Sequence, residues 1–358
     1  MRLLTSFIYF ATIVCTLTNV CLAGDLDTLK LKEPDGIDDL TYQEIWKPFG
    51  PAQVRNQSAL KLSALEWLPD NPDTLSVGSY RTDFAITYAN HWGEMKNYFL
   101  DLETARFELR FAFGVSDKLD FQLTYSGFWR GGGILDGYIE NFHSLIGETQ
   151  SRRDDYPRDV MSFLLHPNDP DTIYVMTNND AGFGTGDLTF RLRYQVIAPK
   201  FNYRPALTVS LTTKVPVGNA DDYFTARAFE FCGHFMLRQR LHKLLFAYLA
   251  GGVTYTSADK IWEVEVNPYR WFFFIGGEWH FDFRWSINLQ YELETGIARY
   301  LDYQKMLAWA TNLITLAFQW RPDINRDYYF EFAMIENFVF HSNTPDITFH
   351  VAFKWLYN

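Results

Sequence analysis

Twelve ionisable side chains stand in runs where polar and apolar residues alternate: Arg106, Glu108, Arg110, Asp120, Arg191, Arg193, Lys214, Arg284, Glu292, Glu294, His350 and Lys354, with Glu230 and Glu278 in weaker runs of the same kind. Mixed charges on one face can pair with neighbours across strands, or they can line a polar path that selects a solute by charge. Spacing brings no two carboxylates together as an acid and a base, so no catalytic pair is assigned. His341-Ser342-Asn343 has the residue types of a nucleophilic triad, the chemistry of a lipid hydrolase. A working triad needs the imidazole to reach the hydroxyl and a third group to orient it. Adjacent residues of an extended chain point to opposite faces, and Ser-Asn-Thr is equally an ordinary turn.

A second set of candidates lies between residues 127 and 185. Ile134, Tyr138 and Phe142 repeat at helical spacing, as do Leu135, Ile139 and Ile146, and Gly147 follows as a stop. An amphipathic helix here could constrict an opening through Ile134, Asp136, Tyr138, Glu140, Phe142 and His143, or simply pack over it. The acids of this stretch are irregularly spaced and form no calcium loop. The glycines at 131–133 and at 182, 184 and 186 lack the Lys-Ser/Thr ending of a phosphate cradle and suit turns at a rim. No metal or cofactor is expected.

The elements that must hold these residues are strands. From 283 to 294, Phe283, Trp285, Ile287, Leu289, Tyr291 and Leu293 alternate with Arg284, Ser286, Asn288, Gln290, Glu292 and Glu294. One face is apolar and the other wet. The pattern recurs over 105–114, 119–126, 187–196, 207–215 and 347–357. Weaker runs at 79–91, 226–237, 244–256, 269–281, 307–320 and 327–338 bring the expected count to about twelve. Short connections near 115–118, 198–204, 238–243, 280–282 and 321–326 alternate with generally longer ones near 92–101, 127–185, 217–225, 257–268, 296–306 and 339–345. That segregation of loop length, and an even strand number, belong to antiparallel up-and-down barrels of the bacterial outer membrane.

Composition agrees. The chain of 358 residues is 47% hydrophobic and 18% aromatic, with 32 Phe, 21 Tyr and 11 Trp. So many rings suit a surface with two wet–dry boundaries. A net charge of −11 argues against nucleic acid as a partner. Arg2, an apolar run from Leu3 to Cys15, and small residues ending at Ala23 read as a cleaved export signal over 1–23. Its loss would take the charge from −11 to −12 and leave Cys232 as the sole cysteine, which excludes an internal disulfide and a cysteine zinc site. Residues 24–78, with Pro34, Pro48, Pro51, Pro69 and Pro72, form a polar periplasmic segment or a plug, and 79–358 form the barrel.

Gly50-Pro51 with Val54-Arg55-Asn56-Gln57, the stretch Gly131-Gly132-Gly133-Ile134-Leu135-Asp136-Gly137-Tyr138-Ile139 through Asn141-Phe142-His143, Gly184-Thr185-Gly186-Asp187-Leu188 and Lys214-Val215-Pro216-Val217-Gly218 occur together. Over most of 45–358 the chain resembles the bacterial family catalogued as domain of unknown function 3187. The resemblance implies an outer-membrane barrel and brings no established activity. One departure is the ending: Tyr357 is followed by Asn358, whereas many outer-membrane proteins end on an aromatic residue. The expectation is a barrel that passes or binds a small solute, gated by the 127–185 loop or the segment before the first strand. A surface scaffold with a filled interior and an outer-leaflet lipid hydrolase are the alternatives. Expected partners are outer-membrane lipid, lipopolysaccharide and the barrel-insertion machinery.

Overall fold

The computed structural model describes residues 47–357, except 96, 147–151, 167–172, 199–204, 220–222, 302–303, 324–326 and 338–343. The export signal, the segment up to residue 46 and the His341-Ser342-Asn343 triad therefore lie outside the described residues.

Twelve long strands succeed one another: β1 (Tyr80–Met95), β2 (Tyr98–Ser116), β3 (Leu119–Gly131), β4 (Gly182–Ile197), β5 (Ala206–Val215), β6 (Glu230–His242), β7 (Leu245–Thr256), β8 (Tyr269–Asp282), β9 (Trp285–Glu294), β10 (Thr311–Trp320), β11 (Tyr328–Asn337) and β12 (Ile347–Tyr357). Each pairs antiparallel with the next, and β12 pairs back onto β1 from Tyr80↔Tyr357 to Asn90↔Ile347. The twelve strands close into a barrel with no free edge among them, so their amides can pair inside a membrane. Among the described residues no helix is long and apolar enough to cross one.

Alternation decides which way each residue faces. Phe111, Leu211, Val351 and Trp355 are exposed on the outside, while their neighbours Arg110, Thr212, His350 and Lys354 are buried within. Stacked rings mark the end where the chain turns tightly: Tyr80 on Tyr357 at 4.4 Å, and Trp285 on Trp320 at 5.3 Å. Such rings sit where hydrocarbon meets headgroups. Two-residue turns at Asp117-Lys118, Lys243-Leu244 and Phe283-Arg284 make this the short-turn end, which in bacterial outer-membrane barrels is the periplasmic one.

Two sequence expectations are corrected here. Residues 92–95 and 98–101 are strand rather than an outer loop, because β1 and β2 keep pairing to Met95↔Tyr98 and project as a long hairpin. Arg284 does not face inward. The alternation runs one residue too far, β9 begins at Trp285, and Arg284 is an exposed turn residue lying over Phe283.

The outer end is covered. Short strands Ser162–Leu165 and Ile173–Thr177 extend the sheet from the outer part of β2, and helix α1 spans Asp136–Ile146. Beneath them Tyr98, Leu100, Phe163, Leu165, Val264 and Leu307 form an apolar core.

Candidate functional site

The barrel interior is occupied by the chain's own leading segment, residues 48–79, whose last residues, 76–78, emerge exposed before β1. Within this stretch every residue from Phe49 to Asp70 is buried. The backbone enters at the periplasmic end, where Glu278 accepts from the amides of Phe49 (2.8 Å) and Gly50 (3.2 Å). It climbs past Glu331, which accepts from Gln53 N, and past Glu108, which pairs with Arg55 at 2.6 Å. A short 3-10 turn at Lys61–Ser63 lies under the outer core, with Leu60 packed into it and Lys61 paired to Glu294. The chain then descends. Leu65 N donates to Glu230 at 2.6 Å, Arg270 reaches Glu66 at 3.1 Å, and Asp70 meets Arg81 and Arg193 before β1 begins.

The seat matches this segment in chemistry along its whole length. Apolar plug residues meet apolar patches of the inner wall: Leu65 and Trp67 against Met236, Tyr248, Phe272 and Phe274, and Ala52 and Val54 against Leu313, Ala317, Ala333 and Ile335. Trp67 stacks on Phe272 at 4.3 Å. Charged plug residues meet opposite charges. Taking such ions out of water costs several kcal/mol each unless they are paired and hydrogen-bonded, so the pairing is a condition of the segment being there at all. Cavities beside Leu60 and beside Gln290 hold about 10 Å³ each, room for about one water.

The sequence-derived candidates divide into three groups. Arg106, Glu108, Arg110, Asp120, Arg191, Arg193, Lys214, Glu292, Glu294, His350 and Lys354 are buried on the inner face. Several of them form networks: Glu108 holds Arg55, Arg106 and Arg110; Lys214 pairs with Asp187 and Glu230; Glu331 joins Lys354 at 2.8 Å. Arg284 stands apart. The described members of the loop set are not inside the bore. Ile134 is 79% and Tyr138 is 56% exposed, Glu140 pairs with exposed Arg158, and Asp136 accepts from Asn90 and Asp159 N. The side chains of Phe142 and His143 lie outside the described residues.

Asp136 and its neighbours fasten the loop to the outward face of the β1–β2 hairpin. Glu103 accepts from the amides of Ile134 (3.0 Å) and Leu135 (2.6 Å), and Arg153 bridges Asn90 and Asp346. Gly133 has φ +78°, and a Cβ there would fall 1.8 Å from the Glu103 carboxyl carbon, so glycine permits this contact. Burial pushes the Asp346 carboxyl up to about 6 despite the Arg153 guanidinium beside it.

Sequence reasoning missed Arg81, Arg238, Arg270 and Glu331, which stand on strands whose alternation is weak. It also missed Arg55, Lys61, Glu66 and Asp70 of the segment itself. The only signal for those four was a charge pattern, Arg-Lys-Glu-Asp, able to complement a mixed wall.

The chain matches the family model described as a protein of unknown function (DUF3187) over residues 45–357. No curated protein matches it. Among solved structures it is similar to the COG4313 outer membrane channel from Pseudomonas putida F1, at 11% identity, covering 82% of this chain and 100% of that one, with a TM-score of 0.56. That similarity is one of fold. The KdgM porin in complex with disordered oligogalacturonate (8% identity, 78% and 99% covered, TM-score 0.41) and the NanC porin (7%, 77% and 98%, 0.44) are too distant to carry an argument.

Proposed function

We propose, for a chain that belongs to the DUF3187 family and folds as an outer-membrane barrel, that it is a channel for a small solute, held shut at rest by its residues 48–79 and opened when that segment shifts. One observation carries the reading: much of the wall's charge is balanced on the segment instead of on the wall. Glu278, Glu230, Arg191, Arg81 and Arg238 all spend hydrogen bonds on backbone or side chains of residues 49–73. A barrel built only as a scaffold could pair its inner charges across neighbouring strands and dispense with a movable filling. With the segment displaced, those groups would face water and the bore of a twelve-stranded barrel would be polar.

The stopper in this reading is the leading segment. The 127–185 loop covers the outer mouth, and its Ile134 and Tyr138 point away from the bore. The apolar core at that mouth favours a second reading, a permanently filled surface scaffold.

Conductance in planar bilayers separates the two. The intact mature chain should be silent or open only in brief events, and a variant lacking 48–73 should give steady steps. Silence from a folded deletion variant would leave the scaffold.

A further inference from the structure

Four arginines of the wall converge on six residues of the descending segment, Leu68–Asp73. Arg191 Nη2 donates to Leu68 O at 3.0 Å. Arg193 Nη1 donates to Asn71 O at 2.8 Å, and its Nη2 to Asp73 O at 3.3 Å. Arg81 grips Asp70 with both terminal nitrogens, at 3.2 and 3.0 Å, and Arg238 Nη1 meets Asn71 Oδ1 and Asp73 Oδ2 at 2.6 Å each. These guanidiniums come from β1, β4 and β6 and gather at the periplasmic third of the bore.

The charges show what the arginines are arranged to hold. On the wall, Asp83 lies 3.2 Å from Arg81 and Asp120 binds Arg193, which offsets two of the four cations. The two further negative charges come from the segment: Asp70 bridges Arg81 and Arg193, and Asp73 meets Arg238. Arg191 touches no carboxylate at all: its Nε reaches Thr212, its Nη2 a backbone carbonyl, and its Nη1 has no partner although the residue is only 5% exposed. A buried guanidinium left half-satisfied is costly, and the fork of an arginine fits a carboxylate at two points.

We infer that Leu68–Asp73 occupies an anion-binding site formed by Arg81, Arg191, Arg193 and Arg238, and that the solute of the channel is a small polycarboxylate that competes with this segment for the same guanidiniums. The assignment of solute rests on the channel reading; the existence of the site does not. Entry of the anion replaces the Asp70 and Asp73 carboxylates and the carbonyls of Leu68, Asn71 and Asp73, and frees the lower limb of the plug while neutralising the surplus of two positive charges. Arg191 holds the segment only through Leu68 O and keeps its Nη1 to spare for the newcomer.

The test uses the refolded full-length mature chain carrying Pro72→Cys, a buried position whose backbone carbonyl contacts are kept. Its labelling rate with a water-soluble maleimide is compared in citrate and in chloride at equal ionic strength, with Thr74→Cys as a second reporter. Citrate should accelerate labelling about tenfold and saturably. Arg191→Gln should abolish most of that response, and Arg238→Gln should raise labelling in chloride as well. The exposed turn variant Lys118→Gln should respond like the parent. Equal rates in citrate and chloride would overturn the site, as would a citrate response unchanged in folded Arg191→Gln. Conductance of the variant lacking 48–73 decides the channel independently: steps there with no citrate effect on labelling would keep the channel and reject its solute.

Discussion

At the scale of single residues, the interior is held by a few groups with many partners. Glu108 is the clearest, with Arg55, Arg106 and Arg110 at 2.6, 3.0 and 2.6 Å. Glu108→Ala leaves three buried guanidiniums without their counter-ion, and breaking one partner of a buried pair costs about 3–5 kcal/mol. The variant should lose its heat resistance in gel-mobility assays by a clear margin over Thr212→Ala, which removes one long hydrogen bond from Arg191. Trp67→Ala acts on the plug alone. It deletes the ring stacked on Phe272 and set edge-on to Phe274, with a loss of about 3–5 kcal/mol for a buried ring. Its signature should be more frequent openings in bilayers with barrel strands still folded. Legibility differs sharply between these two residues. Glu108 could be placed on the wet face because its strand alternates strictly. Trp67 could not, because the plug is irregular chain whose burial comes entirely from the wall around it, and no period records that.

At the scale of elements, strands were the readable part. Six follow from apolar residues recurring at every second position and six from weaker runs of the same kind, and the lipid face can be tested directly. Phe111 is exposed on the outside of β2, so Phe111→Arg puts a charge in hydrocarbon at about 2–4 kcal/mol. Insertion into lipid vesicles should fall markedly, whereas normal insertion would reverse the assignment of faces. The ends of elements were less readable. Arg284 continues the alternation of β9 numerically yet sits in the turn, since period alone carries no stop signal. The outer hairpin of β1 and β2 was hidden because Tyr98 to Leu102 are buried on both faces, so alternation is no longer required there. The helix at 136–146 was visible from its spacing, but its position was not. It is fixed by Glu103, a residue far away in sequence. Gly133→Ala should push that carboxyl from the amides of Ile134 and Leu135 and release the loop. Trypsin should then cut faster at the exposed Arg152 and Arg158, with the barrel core unaffected.

At the scale of the whole molecule, the sequence predicts a barrel with an undecided interior, and the fold resolves that indecision in favour of the leading segment. The wall and the segment are complementary by sign and by polarity, so neither is fully satisfied without the other. This is why the lumen charges seemed ambiguous from sequence: several of their partners are on a stretch with no secondary-structure signal. The same complementarity explains how a barrel of intermediate width can be both polar inside and closed. The most direct measurement is the accessibility of the plug tip in living cells. Ala59 is buried at the top of the segment beneath the outer cover, whereas Ile134 is 79% exposed. With a membrane-impermeant maleimide, Ile134→Cys should label readily and Ala59→Cys should stay unlabelled, in a chain whose native Cys232 is itself buried. Labelling of Ala59→Cys at the rate of Ile134→Cys would mean that residues 48–79 do not fill the barrel, and the account of a self-stoppered channel would be wrong.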